Sequence, residues 1–254
     1  MKKFTPYKSI YIILLLVATS PVLAQCRRTN DLSWWTWFQV YKDINKKSYV
    51  SFQYQLRLND NMSHYDSNNF YFQLGVNPYK NINLELLYQL NTDYHRDLHT
   101  FYLGLTYKVK VKRFSFFFRT AFQHTRDFFT GENRYDQPIN EWRNRIKATY
   151  SISKNFELSL SAEPTTNLFN HQRIYIEKVR TVAQLTFNYN KYQALNLFYM
   201  YQPDIYTTST LSNKFVLGIT YQVNLPSKLK KYKKIFDFNK DLKDFNNAHY
   251  NNNL

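Results

Sequence analysis

The chain of 254 residues is short of several things. It holds only 4 glycines and 7 prolines, too few for a collagen-like or low-complexity chain. Its one cysteine, Cys26, rules out an internal disulfide. Mean hydropathy is −0.57, which excludes a bundle of transmembrane helices. There is no Gly-rich phosphate loop and no cysteine pair to hold zinc. Acid is scarce, with 18 Asp and Glu against 34 Lys and Arg. What is abundant is aromatic: 23 Tyr and 21 Phe, side chains that favour half-buried strands.

The N-terminus reads as a Sec export signal, 1–24. Lys2, Lys3 and Lys8 make a basic start, Ile10 to Ala18 an apolar stretch, and Val22-Leu23-Ala24 a small-residue cleavage site before Gln25. Cys26 raises acylation as an alternative, against which stands the large Gln25 before it. Cleavage removes three lysines and no acid, so the net charge falls from +16 to +13. Export argues against nucleic acid as the basic chain's partner. It favours outer-membrane lipid, lipopolysaccharide and small anionic solutes.

From residue 32 the dominant signal is alternation with a period of two, which a strand resolves into two faces and a helix would scramble. Val50, Phe52, Tyr54, Leu56 and Leu58 oppose Ser51, Gln53, Gln55, Arg57 and Asn59. The pattern returns in segments beginning near Phe70, Ile82, Phe101, Phe114, Arg143, Phe156, Arg180, Leu195 and Lys214. An opening segment, 32–41, carries Trp34, Trp35, Trp37 and Phe38 and is apolar on both faces.

Alternation alone suits a soluble sandwich as well as a membrane barrel. The segments run about 10 residues, the length a tilted strand needs to cross the hydrocarbon. The connections divide into a short set (42–48, 78–81, 110–113, 153–155, 189–191) and a long set (60–67, 92–99, 126–140, 165–174, 203–212). Outer-membrane barrels have short turns on one side and longer loops on the other. Tyr41, Tyr79, Tyr107, Trp142, Tyr192 and Tyr221 fall near segment ends, as aromatic girdles do.

The expectation is therefore an all-β, closed antiparallel up-and-down transmembrane barrel over 25–225, in the outer membrane of a Gram-negative cell. Eleven segments are visible. Single-chain bacterial barrels have even strand numbers, so 10 or 12 is expected. Residues 226–254, with Lys228, Lys230, Lys231, Lys233 and Lys234 and an Asn-rich end, read as a periplasmic tail.

Certain motifs carry a resemblance. Trp34-Trp35-Thr36-Trp37, Gln55-Leu56-Arg57, Arg143-Asn144-Arg145, Ser161-Ala162-Glu163-Pro164, Asn167-Leu168-Phe169 and Arg180 follow one another in an order that resembles an uncharacterised family of exported outer-membrane β-barrels, a domain of unknown function. The resemblance spans roughly 32–224. The chain departs from that pattern in lacking glycine where such proteins often carry Gly-Leu-x-Tyr. The resemblance implies fold and location, and carries no activity.

The polar faces hold a basic set, Arg57, Arg119, Arg143, Arg145, Lys147, Arg180 and Lys214, with acids Glu85, Glu157 and Glu163. Facing rows of opposite charge shape the field of a selective pore. These residues are the lumen-lining candidates for a narrow channel that favours small polar or anionic solutes. The alternative is a ladder of ion pairs that fills a small barrel and leaves no channel, with the barrel acting by structure or docking. Its loops or basic tail would then dock, and the loop from Asp127-Phe128-Phe129 to Ile139 is the longest.

A lipid hydrolase needs a serine with a histidine in reach. Among His64, His95, His99, His124, His171 and His249, none has Ser two residues on, and His124 with Ser115 or Thr125 makes no convincing pair. Asp93, His95, Asp97 and His99 form a loop cluster with metal-type ligands, better read as an ordinary polar loop. No enzymatic activity and no cofactor are expected.

Overall fold

The computed structural model describes residues 29–95, 97–127, 138–168, 175–205 and 212–226. The export signal, Cys26, the loop aromatics Phe128 and Phe129, His171, His249 and the tail beyond Pro226 lie outside the described residues.

Eleven strands follow one another: β1 Thr29–Asp43, β2 Ser48–Asn59, β3 His64–Tyr79, β4 Ile82–Thr92, β5 Asp97–Val111, β6 Phe114–Asp127, β7 Ile139–Ser151, β8 Phe156–Leu168, β9 Tyr175–Asn190, β10 Gln193–Pro203 and β11 Ser212–Leu225. Each pairs antiparallel with its sequence neighbour, and β1 pairs with β11 to close a barrel. The strand number lies within the expected 10–12 range but is odd. In an up-and-down barrel an odd count makes the first and last strands run the same way, so the closing pair must be parallel. It is: β1 and β11 pair in parallel from Thr29↔Ser212 to Lys42↔Leu225 without a break. The even-number expectation fails because it assumes antiparallel closure.

Two of the connections expected to be long are short. The hydrophobic alternation stops near Leu58 and resumes near Phe70. Yet β2 and β3 continue through Asn59↔His64, leaving only 60–63 as a turn, and β4 and β5 close to Thr92↔Asp97. Residues such as His64, Asp66, Ser67, Asn68 and Asn69 are polar on both faces, so no alternation marks the strand there. The tightest turns, 80–81, 112–113 and 191–192, all lie at the opposite end of the barrel. We call the two ends the loop end and the turn end.

Proline sits mainly where it does least harm to the ladders, at strand ends or bulges. Pro164 is the exception. The β7–β8 ladder lapses between Arg143↔Thr165 and Ile146↔Ala162, where Pro164 has no N–H to donate. Lys112 adopts φ 54° in the two-residue turn between β5 and β6, a conformation glycine takes without penalty. Lys112→Gly is expected to stabilise the barrel by about 0.5–1 kcal/mol, read as a higher urea midpoint in detergent. A lower midpoint would show that the turn is not strained.

The wall is inverted relative to a soluble protein. Leu103 and Ile146 are each 60% exposed and Phe72 is 53% exposed, whereas Gln39 and Gln55 are 0% exposed and Lys147 is 2% exposed. Phe52, Phe72, Tyr88 and Phe101 form a continuous aromatic row on the outer surface, with successive ring centroids 5.1, 6.4 and 5.4 Å apart. No described helix is long and apolar enough to cross a membrane.

Candidate functional site

The interior is built from the residues at every second position that face the axis, and it has three levels. At the turn end it is packed. Tyr41 and Tyr49 are buried with ring centroids 5.9 Å apart. Lys108 and Lys147 lie on the Phe117 ring, at 5.4 and 5.8 Å from its centroid. Lys147 is buried, and its ammonium has no hydrogen-bond partner among the described residues. Glu157 is half-buried at this level and close enough to Lys147 to interact electrostatically.

At mid-height are the buried charges. Glu163 accepts hydrogen bonds from Arg143 Nε at 2.8 Å and Arg145 Nε at 2.7 Å, and is also paired with Arg143 Nη2. On another part of the wall Glu85 accepts a bond from Gln73 Nε2 at 2.7 Å and forms an ion pair with Arg119 Nε at 3.1 Å. Arg119 also stacks over Tyr102, 4.6 Å from the ring centroid. Two inward-facing glycines make room for this filling. Gly75 lies opposite Tyr49, and Gly104 opposite Glu85. A Cβ on Gly75 would fall 1.9 Å from the Tyr49 ring, and one on Gly104 2.6 Å from Glu85 Oε1.

Toward the loop end the filling gives way to a cavity of about 320 Å³. Its lining includes Trp35, Tyr71 and Leu87 but no residue of the turn-end layer. Arg57, Arg143, Lys178 and Arg180 bring cationic groups to its wall, and Glu141 and Glu177 bring acids. Glu141 accepts bonds from Lys178 Nζ at 3.0 Å and Gln123 Nε2 at 2.7 Å, and Arg143 Nη1 donates to Gln123 Oε1 at 3.0 Å. Arg57 donates from Nε to Gln55 Oε1 at 2.9 Å and lies over Trp35, 4.3 Å from the ring centroid. Arg180 Nε donates to Gln202 Oε1 at 2.6 Å. Lys214 is half-buried on β11, within electrostatic reach of Asp66, Arg57, Asp31 and Arg180.

The sequence-derived candidates thus divide by level. Arg57, Arg143 and Arg180 line the cavity, with Lys214 nearby. Glu85, Arg119, Arg145 and Glu163 lie in the mid-height layer, and Lys147 and Glu157 at the turn end. Glu141 and Lys178 escaped the sequence reading, although they share the parity of Arg143 and Arg180. Tyr71 and Tyr102 fall on the polar faces by alternation but carry no charge to single them out, and Trp35 lies in a segment apolar on both faces.

The other candidate chemistries have definite geometry. His124 is bonded to Asn140 through Nδ1 at 2.8 Å, while Thr125 bonds Thr100 at 2.9 Å in the interior. An odd sequence separation puts Ser115 and His124 on opposite faces of β6, so they do not meet. Asp60, Ser63 and His64, not anticipated from sequence, cluster at the exposed β2–β3 turn. Ser63 Oγ at 2.8 Å and Asp60 Oδ2 at 3.1 Å both contact Nδ1 of His64. A proton relay needs the two partners on different ring nitrogens, so this is not a triad. His99 Nδ1 bonds Tyr88 Oη at 2.7 Å, and His95 N bonds Asp93 Oδ1 at 2.7 Å. Among the described residues, no three His, Cys, Asp or Glu are grouped to hold a metal ion.

No curated protein matches this chain. The span 32–213 matches the family described as "Protein of unknown function (DUF2490)", which takes in most of the barrel, and the chain belongs to that family.

Proposed function

We propose that this chain is an outer-membrane barrel of a Gram-negative cell, exported on residues 1–24, with no catalytic role. Its lumen is a vestibule that admits small anionic solutes at the loop end and is packed shut at the turn end. The observation that carries the placement is the inverted wall, with greasy side chains outward and glutamines, lysines and arginines buried within. A surface of that kind is costly in water and suits acyl chains, and a closed barrel leaves no unpaired sheet edge in lipid. Lipid and lipopolysaccharide are then the partners of the outer surface.

The packed layer of Tyr41, Tyr49, Phe117 and Lys147 favours a blind vestibule over a continuous narrow channel. In cells, the protein is expected in the outer-membrane fraction and released only by detergent. Recovery from the soluble periplasm would overturn the placement. In planar bilayers the wild-type protein is expected to carry no steady current, while a Tyr49→Ala/Phe117→Ala variant conducts. Discrete open-channel steps in the wild type would establish the channel reading instead.

A further inference from the structure

Two guanidinium groups at the vestibule differ from the other cations there. Arg143 is paired with Glu163, and Lys178 with Glu141 at 3.0 Å and Glu177 at 3.6 Å. Arg57 and Arg180 have no such partner. Arg57 donates to the neutral oxygens of Gln55 and Tyr71, at 2.9 and 3.3 Å, and Arg180 to that of Gln202 at 2.6 Å. Neither forms an ion pair with a carboxylate among the described residues. They come from β2 and β9, which are separated around the wall by β1, β11 and β10, yet both line the same cavity and lie close enough to repel each other.

Two like charges held together facing a cavity, neither bonded directly to a carboxylate although Glu163 and Glu141 lie within electrostatic reach of Arg180, are stabilised by an anion between them. The guanidinium fork matches the planar geometry of a carboxylate. Apolar side chains of the same lining, Leu87, Leu98 and Ile139, would accept a hydrocarbon or aromatic body. At about 320 Å³ the space is at the small end of ligand pockets.

We infer that the vestibule is a binding site for a small organic carboxylate, its carboxylate held between Arg57 and Arg180 and its apolar body against Leu87, Leu98 and Ile139. The inference deepens the reading of the lumen as a vestibule and rests on it. It does not depend on where in the cell the barrel resides.

The test is a titration of the full-length protein in detergent micelles with benzoate, inorganic phosphate and benzylamine, followed by calorimetry and by tryptophan fluorescence, Trp35 being in the lining. Benzoate is expected to bind saturably, more tightly than phosphate, with benzylamine excluded. Arg57→Gln and Arg180→Gln are each expected to weaken benzoate by roughly tenfold or more, the loss expected for a charge-assisted hydrogen bond. Lys154→Gln, at an exposed turn at the other end of the barrel, is expected to leave binding unchanged. Unheated gel mobility shows that each variant is folded, and Arg180→Lys keeps the charge and is expected to retain partial binding. The inference is overturned if benzoate does not saturate, if benzylamine or phosphate binds as well, or if folded Arg57→Gln and Arg180→Gln bind like the wild type. Failure here leaves cell fractionation unaffected, so a wrong site and a wrong placement give different results.

Discussion

Glu163→Ala is expected to destabilise the barrel by about 3–5 kcal/mol, the cost of stranding a buried charge by removing its partner. Glu163 is 2% exposed and binds Arg143 and Arg145 at once. Without the carboxylate, two guanidiniums from adjacent inward positions of β7 lose the counter-charge they share, and Arg119 adds a third positive charge nearby. The ladder offers no compensation there, because Pro164 already interrupts the β7–β8 pairing. Glu163→Gln keeps the shape and one acceptor but leaves the charges stranded, so it should cost nearly as much. Arg145→Met in the Glu163→Ala background should recover part of the loss, since fewer charges then lack a partner. Urea unfolding in detergent, followed by tryptophan fluorescence, measures the wild type, both Glu163 variants, Arg145→Met and the double variant. Strictly additive losses in the double variant would contradict the pairing.

Gly218→Ala should be nearly as damaging, for a steric reason. Gly218 faces inward on β11 beside Trp35 of β1 in the parallel seam and Phe198 of β10. A Cβ there would lie 2.1 Å from Phe198 Cζ and 2.7 Å from the Trp35 carbonyl oxygen. The ring could turn aside, but the carbonyl belongs to the seam that closes the barrel. The expected cost is at the upper end of the about 1–3 kcal/mol typical of overpacking, and unfolding should begin at the β1–β11 seam. Hydrogen exchange should show amides of 34–37 and 216–220 losing protection first. Gly104→Ala, whose nearest clashes are with the flexible Glu85 side chain, should cost less. Equal losses at the two glycines would argue against a special role for the seam.

The wall was legible residue by residue. Phe52, Phe72, Leu103 and Ile146 face outward, and Gln53, Gln55, Glu85 and Arg145 inward, as the alternation of polar and apolar positions requires. The ten lumen candidates share the parity of the buried positions on their strands. Legibility ended where the pattern did. The polar stretches around 60–67 and 92–99 looked like loops because neither face is greasy, although the backbone stays paired through much of them. Trp35 and Trp37 could not be assigned a side, because β1 carries aromatic residues at successive positions. Glu141 and Lys178 share the parity of Arg143 and Arg180, so the same alternation marks them as inward.

The order of side chains along the chain determined the strands, their two faces and the charge collected within, since each of these depends on local alternation that a one-residue slip would invert. Tertiary structure alone decided that eleven strands close through a parallel seam, that Glu163 is shared by two arginines, and that Arg57 and Arg180 line one cavity. Those contacts join residues far apart in the chain, and the curvature of a closed wall, invisible in any local stretch of sequence, brings them within reach of one another.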